Sequence, residues 1–326
     1  MAEVMASAPP DGEGGGAPAL EAAPAQPLGK DLAITSWTPD DVDLPMVPLP
    51  GMQQTKFMSQ HTFDERDAKK EAVSAEPKPC TLDGFRLLDV CQVEFPDQAR
   101  HVDMGGLNAV KVVTEDLAFF SNLVSIDAGR NALPFEPMAA FPNLQSLKMP
   151  CNGIRELGGG GTGLSGLFTQ LTHLDLSYNM LGSPKNLTEL SVLPNLRVLD
   201  LTCNGMKTLP PPEELQGGFR RLARLVLERN QIEDPGVLVS CAGLPRLEEL
   251  HLGYNYLQTV APEATDPGAF PALVSLSLCF NYFRSEAALG PLALLRKLEM
   301  LMLYGNPLLG PTMEDPTGDR IVSSQS

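Results

Sequence analysis

The sequence predicts an α/β fold: a solenoid in which short parallel strands form one concave sheet, with short helices and loops on the convex side. Two observations predict it, a pattern of leucines that returns at intervals of 21 to 27 residues and the alternation of apolar residues inside each copy. A repeat of this length indicates stacked units that bury their apolar faces against one another. Because strand-to-strand crossovers turn to the right, we expect a right-handed solenoid.

The repeated pattern is L-x-x-L-x-L-x-x-N-x-L, and "LTHLDLSYNML" at 171–181 is a complete copy. It is the pattern of the leucine-rich repeat. The copies predict a repeat domain of about eight units over residues 121–310. The longest interval contains the insertion "GGGGTG" at 158–163. The asparagines of the eight copies are Asn131, Asn152, Asn179, Asn204, Asn230, Asn255, Asn281 and Asn306.

Each element of the pattern has a physical role. The L-x-L alternation places two apolar side chains on one face of a strand, where parallel stacking buries them as a ladder. The asparagine follows the strand where the chain turns, and its amide can satisfy backbone groups that the turn would bury. The return segments 234–244 and 285–298 indicate short helices on the convex side.

The segments outside the repeats have different compositions. Residues 84–120 hold a degenerate copy with Val102, Met104 and Leu107, which predicts an N-terminal cap. Residues 1–83 are acidic and rich in Ala, Pro and Gly, which predicts a disordered arm. Within it, residues 53–73 form either a short docking helix or a solvated tether. The polar tail 311–326 is unsuited to covering an apolar end, so either the chain is a fragment or this end meets a partner.

Composition argues against several function classes. The net charge of −16 repels phosphate backbones and anionic membranes, so we expect no nucleic-acid partner and no membrane partner. The start lacks a secretory signal and the six cysteines form no CxxC pair, so we expect a reducing compartment, the cytoplasm, with free thiols and no zinc site. His173 and His251 lie three repeats apart, too far to share a metal ion.

No cofactor or small-molecule substrate is expected. Gly158, Gly160 and Gly163 satisfy GxGxxG, but no strand-to-helix βαβ unit surrounds them. Asp175 and Asp200 are predicted neighbours on adjacent strands, and without a desolvated pocket we interpret them as part of a solvated charge ladder. The chain is therefore predicted to have no catalytic residues and not to be an enzyme.

A protein partner is the expected ligand, through the concave face or its edge. The residues immediately before the eight asparagines place Tyr178, Arg229, Tyr254 and Phe280 along one edge of the sheet. Tyrosine and arginine often dominate interface energies, so these four residues are the predicted partner-binding strip. The alternative is that the rings pack against the turn of the adjacent repeat. The interface would then lie on Asp175, Asp200 and His251.

Two segments resemble a known family: "LLDVCQVEFPDQARHVDM", and "LVSIDAGRNALPFEPMAAFPNLQSLKMPCNGI" with its "NALPFEPMAAFPNL" turn. Together they are similar to the leucine-rich repeat region of the X-ray radiation resistance-associated protein family, over residues 86 to about 320. The resemblance implies a non-enzymatic protein of cytoplasm and nucleus, associated with the cellular response to ionising radiation. The chain departs from that family in its Ala/Pro/Gly-rich arm and in stopping soon after the repeats.

The predicted function is therefore a protein-interaction scaffold. One alternative is a structural or regulatory component of the cilium or axoneme, since short repeat arrays of this type resemble axonemal proteins. A further alternative is the substrate adaptor of a ubiquitin ligase, although no F-box-like helix cluster precedes the repeats.

Overall fold

The structure, a computed structural model, describes residues 78–158 and 163–310. Most of the predicted disordered arm, the predicted segment 53–73 and the polar tail 311–326 lie outside the described residues. Within these ranges, no helix is both long enough and apolar enough to cross a membrane.

A parallel sheet of nine strands runs through the described residues, and its strands lie side by side in the order of the chain. Eight of these strands coincide with the eight copies of the sequence pattern, and each pairs in register with its neighbours. The predicted α/β repeat fold is thereby confirmed. The strands are β2 (His101–Asp103), β4 (Ser125–Asp127), β5 (Ser146–Lys148), β6 (His173–Asp175), β7 (Val198–Asp200), β8 (Arg224–Val226), β9 (Glu249–His251), β10 (Ser275–Ser277) and β11 (Met300–Met302).

Short helices connect the strands. The predicted helix in 234–244 is α5, whereas the predicted helix in 285–298 is a 3₁₀ helix. Pro291 inside that segment lacks the N–H that an α-helix requires, which disfavours the α form. The α-helices are α1 (Gly84–Cys91), α2 (Thr114–Leu117), α3 (Pro184–Ser191), α4 (Pro212–Leu215) and α5 (Gly236–Ala242); the 3₁₀ helices are Pro96–Gln98, Glu136–Ala140, Pro262–Thr265, Glu286–Leu294 and Pro307–Leu309.

The apolar positions of the pattern form the core. The middle residue of each strand from β4 to β10 is almost fully buried and lies beside the same position of the next strand, as in the pair Leu199 and Leu225. One cluster of buried side chains extends from Leu82 to Leu292. Each repeat therefore buries its leucines against its neighbours, as the sequence predicts.

The pattern asparagines connect consecutive repeats. Asn204 is representative: its Oδ1 accepts the N–H of Leu181 at 3.1 Å, and its Nδ2 donates to the carbonyl of Leu176 at 3.0 Å, both in the preceding repeat. Its Nδ2 also donates to the carbonyl of Thr202 in its own turn. The predicted role in the turn is confirmed, and the structure adds a bridge to the preceding repeat. This bridge recurs from Asn152 to Asn306.

The N-terminal end differs from the predicted boundary. A two-stranded parallel sheet pairs β1 (Cys80–Leu82) with β3 (Ala109–Val112), and Leu82 is fully buried. The predicted arm at 1–83 therefore includes a strand, and the folded region begins earlier than residue 84. The degenerate copy supplies β2, which is the first strand of the nine-stranded sheet. Unlike the strands of the repeats, β1 and β3 belong to no recurring pattern, and a single strand of three or four residues has too little periodicity for detection from sequence.

Candidate partner-binding face

The first and third residues of each strand point to the face opposite the buried middle residue. At the third position, Asp127, Lys148, Asp175 and Asp200 follow one another on adjacent strands, and Asp175 and Asp200 are neighbours as predicted. His251 occupies the same position two strands beyond Asp200. One column of the concave face therefore carries the predicted residues Asp175, Asp200 and His251.

Asp175 and Asp200 lie directly opposite each other in β6 and β7. The Oδ1 of each accepts a backbone N–H two residues later, from Ser177 and Thr202, at 2.8 Å. Burial raises the pKa of Asp175. Burial first, and the neighbouring Asp175 carboxylate second, raise the pKa of Asp200 to about 6. Both side chains are half-buried, so the pair is less solvated than the charge ladder inferred from the sequence.

The next two strands carry a compensated network instead. Arg224 forms two hydrogen bonds with Glu249 across β8 and β9, at 2.6 and 2.9 Å. His251 lies 3.6 Å from Glu228 and 3.5 Å from Glu249. Glu228 first, and then Glu249, raise the pKa of His251, while the hydrogen bonds from Arg224 lower the pKa of Glu249. Glu249 therefore has a cationic partner in Arg224, and Glu228 has one in His251 when the imidazole is protonated.

The residues immediately before the asparagines share a left-handed backbone. Each has a φ between 50° and 56°, except Gly305 with a φ of 76°. Side chains other than glycine adopt this conformation at a cost of roughly 1 kcal/mol, so the turn geometry imposes it in every repeat. The same turn directs these side chains along one edge of the sheet. The non-glycine members are Arg130, Cys151, Tyr178, Cys203, Arg229, Tyr254 and Phe280.

Three of the four predicted strip residues form a continuous row. The Arg229 guanidinium lies 4.2 Å from the centre of the Tyr254 ring, and Tyr254 stacks on Phe280 with ring centres 4.3 Å apart. Tyr304 meets Phe280 edge-on at 5.1 Å and is 57% exposed. We call Arg229, Tyr254, Phe280 and Tyr304 the aromatic row.

The row combines features of both interpretations of the strip. Phe280 lies so close to Gly305 that a side chain at 305 would collide with its ring, so this ring does pack on the turn of the next repeat. Tyr254 and Phe280 nevertheless keep part of their surface exposed, and Arg229 is exposed. Tyr178 lies apart from the row, half-buried, and its closest partners include Cys203. The row therefore presents a preassembled, partly exposed surface.

Sequence reasoning missed a second pair of rings beside the row. Tyr256 and Tyr282 stack with centres 5.8 Å apart, and each lies two residues after a member of the row. Tyr304 was also missed. A signal was present, because four of the five tyrosines of the chain fall between residues 254 and 304. Counting the aromatic residues of each whole repeat, rather than only those at the position before the asparagine, would have identified these tyrosines.

The cysteine thiols at the edge and in the core do not resemble activated nucleophiles. Burial raises the pKa of the thiols of Cys151 and Cys203 at the edge, and raises that of the core thiol of Cys241 to about 12. A thiol that stays protonated is a poor nucleophile. Over residues 78–158 and 163–310, no cluster of three His, Cys, Asp or Glu side chains has a metal-binding arrangement.

Family comparison agrees with this geometry. The family model described as Leucine Rich Repeat matches residues 170–191, and a second, Leucine Rich repeat, matches residues 192–208. The repeats that contain β4 to β11 are leucine-rich repeats. A solved structure, internalin C2 from Listeria monocytogenes, is similar in fold with a TM-score of 0.50 and 20% identity, covering 68% of this chain and 91% of that chain.

Two curated relatives are similar in sequence. The X-ray radiation resistance-associated protein 1 of Mus musculus is 32% identical over 231 residues, which is 64% of this chain and 29% of the relative, and the predicted resemblance is confirmed. The tubulin-specific chaperone E of Xenopus laevis is 30% identical over 172 residues, which is 45% of this chain and 33% of the relative. The chain thus spans a third or less of the length of either relative.

Proposed function

We propose that this leucine-rich repeat protein is a non-enzymatic protein-interaction scaffold that binds a protein partner through its concave face and the aromatic row. The row carries the proposal. Rings that are already stacked lose little conformational entropy on binding, and partly exposed tyrosine and arginine side chains often dominate interface energies. The strip residues Tyr178, Arg229, Tyr254 and Phe280, with Asp175, Asp200 and His251 beside them, are the proposed contact residues.

The similarity to the mouse X-ray radiation resistance-associated protein 1 supports a role in the cellular response to radiation. We propose that the chain acts in the cytoplasm and nucleus. A second candidate is favoured by the similarity to a tubulin-specific chaperone. It is a structural or regulatory component of the cilium or axoneme, where tubulin is abundant. Localisation of the tagged chain in ciliated and irradiated cells would separate these two roles.

The scaffold proposal is tested by partner capture with the full chain and a triple variant, Tyr178→Ala, Tyr254→Ala and Phe280→Ala. We expect capture of the partner to weaken tenfold or more, which corresponds to about 1.4 kcal/mol. The melting temperature should move by only a few degrees, because the rings are partly exposed.

A matched control removes three exposed rings elsewhere. Phe85, Phe95 and Phe119 lie in the N-terminal region and are the most exposed phenylalanines described. Their replacement by alanine should leave capture unchanged. Equal losses of capture in both triple variants, or loss of folding without separable loss of binding, would contradict the proposed interface.

A further inference from the structure

The concave face has two neighbouring sets of carboxylates that differ in whether a basic side chain lies within 4.0 Å of them. Glu249, on β9, lies within 4.0 Å of both Arg224 and His251. Glu228, just after β8, lies within 4.0 Å of His251. For Asp175 and Asp200, no nitrogen of a described Lys, Arg or His lies within that distance. The same face therefore contains carboxylates with Arg224 or His251 within 4.0 Å beside a carboxylate pair without a described Lys, Arg or His at that distance.

The surroundings of the aspartate pair offset this imbalance only in part. Asp127 lies two strands before Asp175 in the same column and disfavours its charged form, whereas Lys148, on the strand between them, favours it. Glu228 acts on Asp200 from the other side and disfavours its charged form. A cation placed between two half-buried carboxylates would stabilise both charged forms.

The aromatic row offers a second, independent place for a cation. Arg229 already lies over the Tyr254 ring, which shows that the rings of the row accept a guanidinium on their faces. At the other end, Tyr304 is 57% exposed, and its ring is perpendicular to that of Phe280 with ring centres 5.1 Å apart. The row begins in the repeat directly after that of Asp200 and continues through the next three repeats.

Resting on the proposed scaffold function, we propose that the partner contributes a cationic, extended segment, whose Lys or Arg side chains bind between Asp175 and Asp200 and on the aromatic row. Asp200 and Phe280 belong to repeats three strands apart, about 14 Å at the usual strand spacing. An extended chain covers that distance in about four residues. Arginine suits both places, because its planar guanidinium binds carboxylates in pairs and stacks on rings.

The probe is a fluorescein-labelled synthetic peptide with three arginines spaced four residues apart in a Gly/Ser background. Its binding to the full chain is followed by fluorescence anisotropy at 150 mM salt. The double variant Asp175→Asn, Asp200→Asn should bind the peptide at least tenfold more weakly. A peptide in which citrulline replaces arginine keeps the shape without the charge, and it should also bind at least tenfold more weakly.

The matched control is Glu233→Gln, Glu263→Gln, which changes the net charge equally at two exposed positions. We expect it to change the affinity less than twofold. Equal losses in both double variants would show general attraction to a protein of net charge −16 and would overturn the proposal. Equal binding of the citrulline peptide, or no binding of the arginine peptide at 1 mM protein, would overturn it too.

Failure here is distinguishable from failure of the scaffold function. If the triple aromatic variant loses the captured partner while Asp175→Asn, Asp200→Asn captures it normally, the scaffold stands and the cationic segment is wrong. If neither variant affects capture, the partner binds elsewhere and the scaffold proposal for this face is wrong.

Discussion

Leu276 in β10 and Leu301 in β11 occupy the same position of the repeat pattern, yet the first is fully buried and the second is 38% exposed. Both strands have the same backbone pairing on their preceding side. The difference is the following repeat, which covers Leu276. At the opposite end, Val102 in β2 is only 6% exposed, and α1 contacts this strand. In this array, burial of a leucine depends on its neighbours more than on its own repeat.

The largest expected effect is the difference in stability lost when an interior leucine and a terminal leucine are replaced by alanine. Leu199→Ala removes a fully buried side chain with repeats on both sides, and should lower the free energy of unfolding by about 2–5 kcal/mol. Leu301→Ala, at the same pattern position, should cost less than about 1.5 kcal/mol, because the side chain is already partly hydrated. Urea denaturation of both variants measures the difference. Equal costs would mean that β11 is covered in solution.

A second, smaller effect is expected when the asparagines are replaced. Their side chains form hydrogen bonds with the preceding repeat, which is present for interior and terminal repeats alike. Asn204 and Asn306 make equivalent bonds, the latter accepting the N–H of Phe283 and donating to Leu278. Each alanine variant leaves buried backbone groups unpaired at about 1–3 kcal/mol. Hydrogen exchange should therefore accelerate at Leu181 in Asn204→Ala and to a similar extent at Phe283 in Asn306→Ala. Acceleration at only one of these positions would contradict the equivalence.

The smallest expected effect concerns the negative charge of Asp200, at the third position of β7. The pKa of Asp200 in the folded protein, about 6, lies above its ordinary value of 3.8. The folded state therefore binds this proton more tightly, and stability falls as pH rises from about 4 to about 6. Asp200→Asn should flatten that part of the profile and stabilise the protein at pH 7 by roughly 1–2 kcal/mol.

The measurement is the melting temperature of both proteins between pH 4 and pH 7. Glu233→Gln, at an exposed position, controls for the loss of one negative charge. If Asp200→Asn and its parent keep parallel profiles, the carboxylate is solvated after all.

Much of the fold follows from the sequence because the repeat pattern is local and recurs eight times. The asparagines and the alternating leucines identify the strands from β4 to β11 and the residues that share a face. The adjacency of Asp175 and Asp200 could be predicted from the spacing alone, since equivalent positions of consecutive repeats pair in register.

The β1–β3 sheet could not be predicted in this way. It joins residues almost thirty positions apart through strands of three and four residues, which carry no periodic signal. The same limit applies to Tyr256, Tyr282 and Tyr304, because their contribution to the candidate site depends on how rings from neighbouring turns stack.

The sequence by itself determined the repeat length, the buried positions and the residues that reach the concave face, since each depends on spacing within one repeat. Only the tertiary structure decided which of those residues have partners: Arg224 pairs with Glu249, whereas Asp175 and Asp200 face each other without a cation within 4.0 Å among the described residues. The physical reason is that solvation and pairing depend on distances between side chains of different repeats. Those distances exist only once the repeats have stacked.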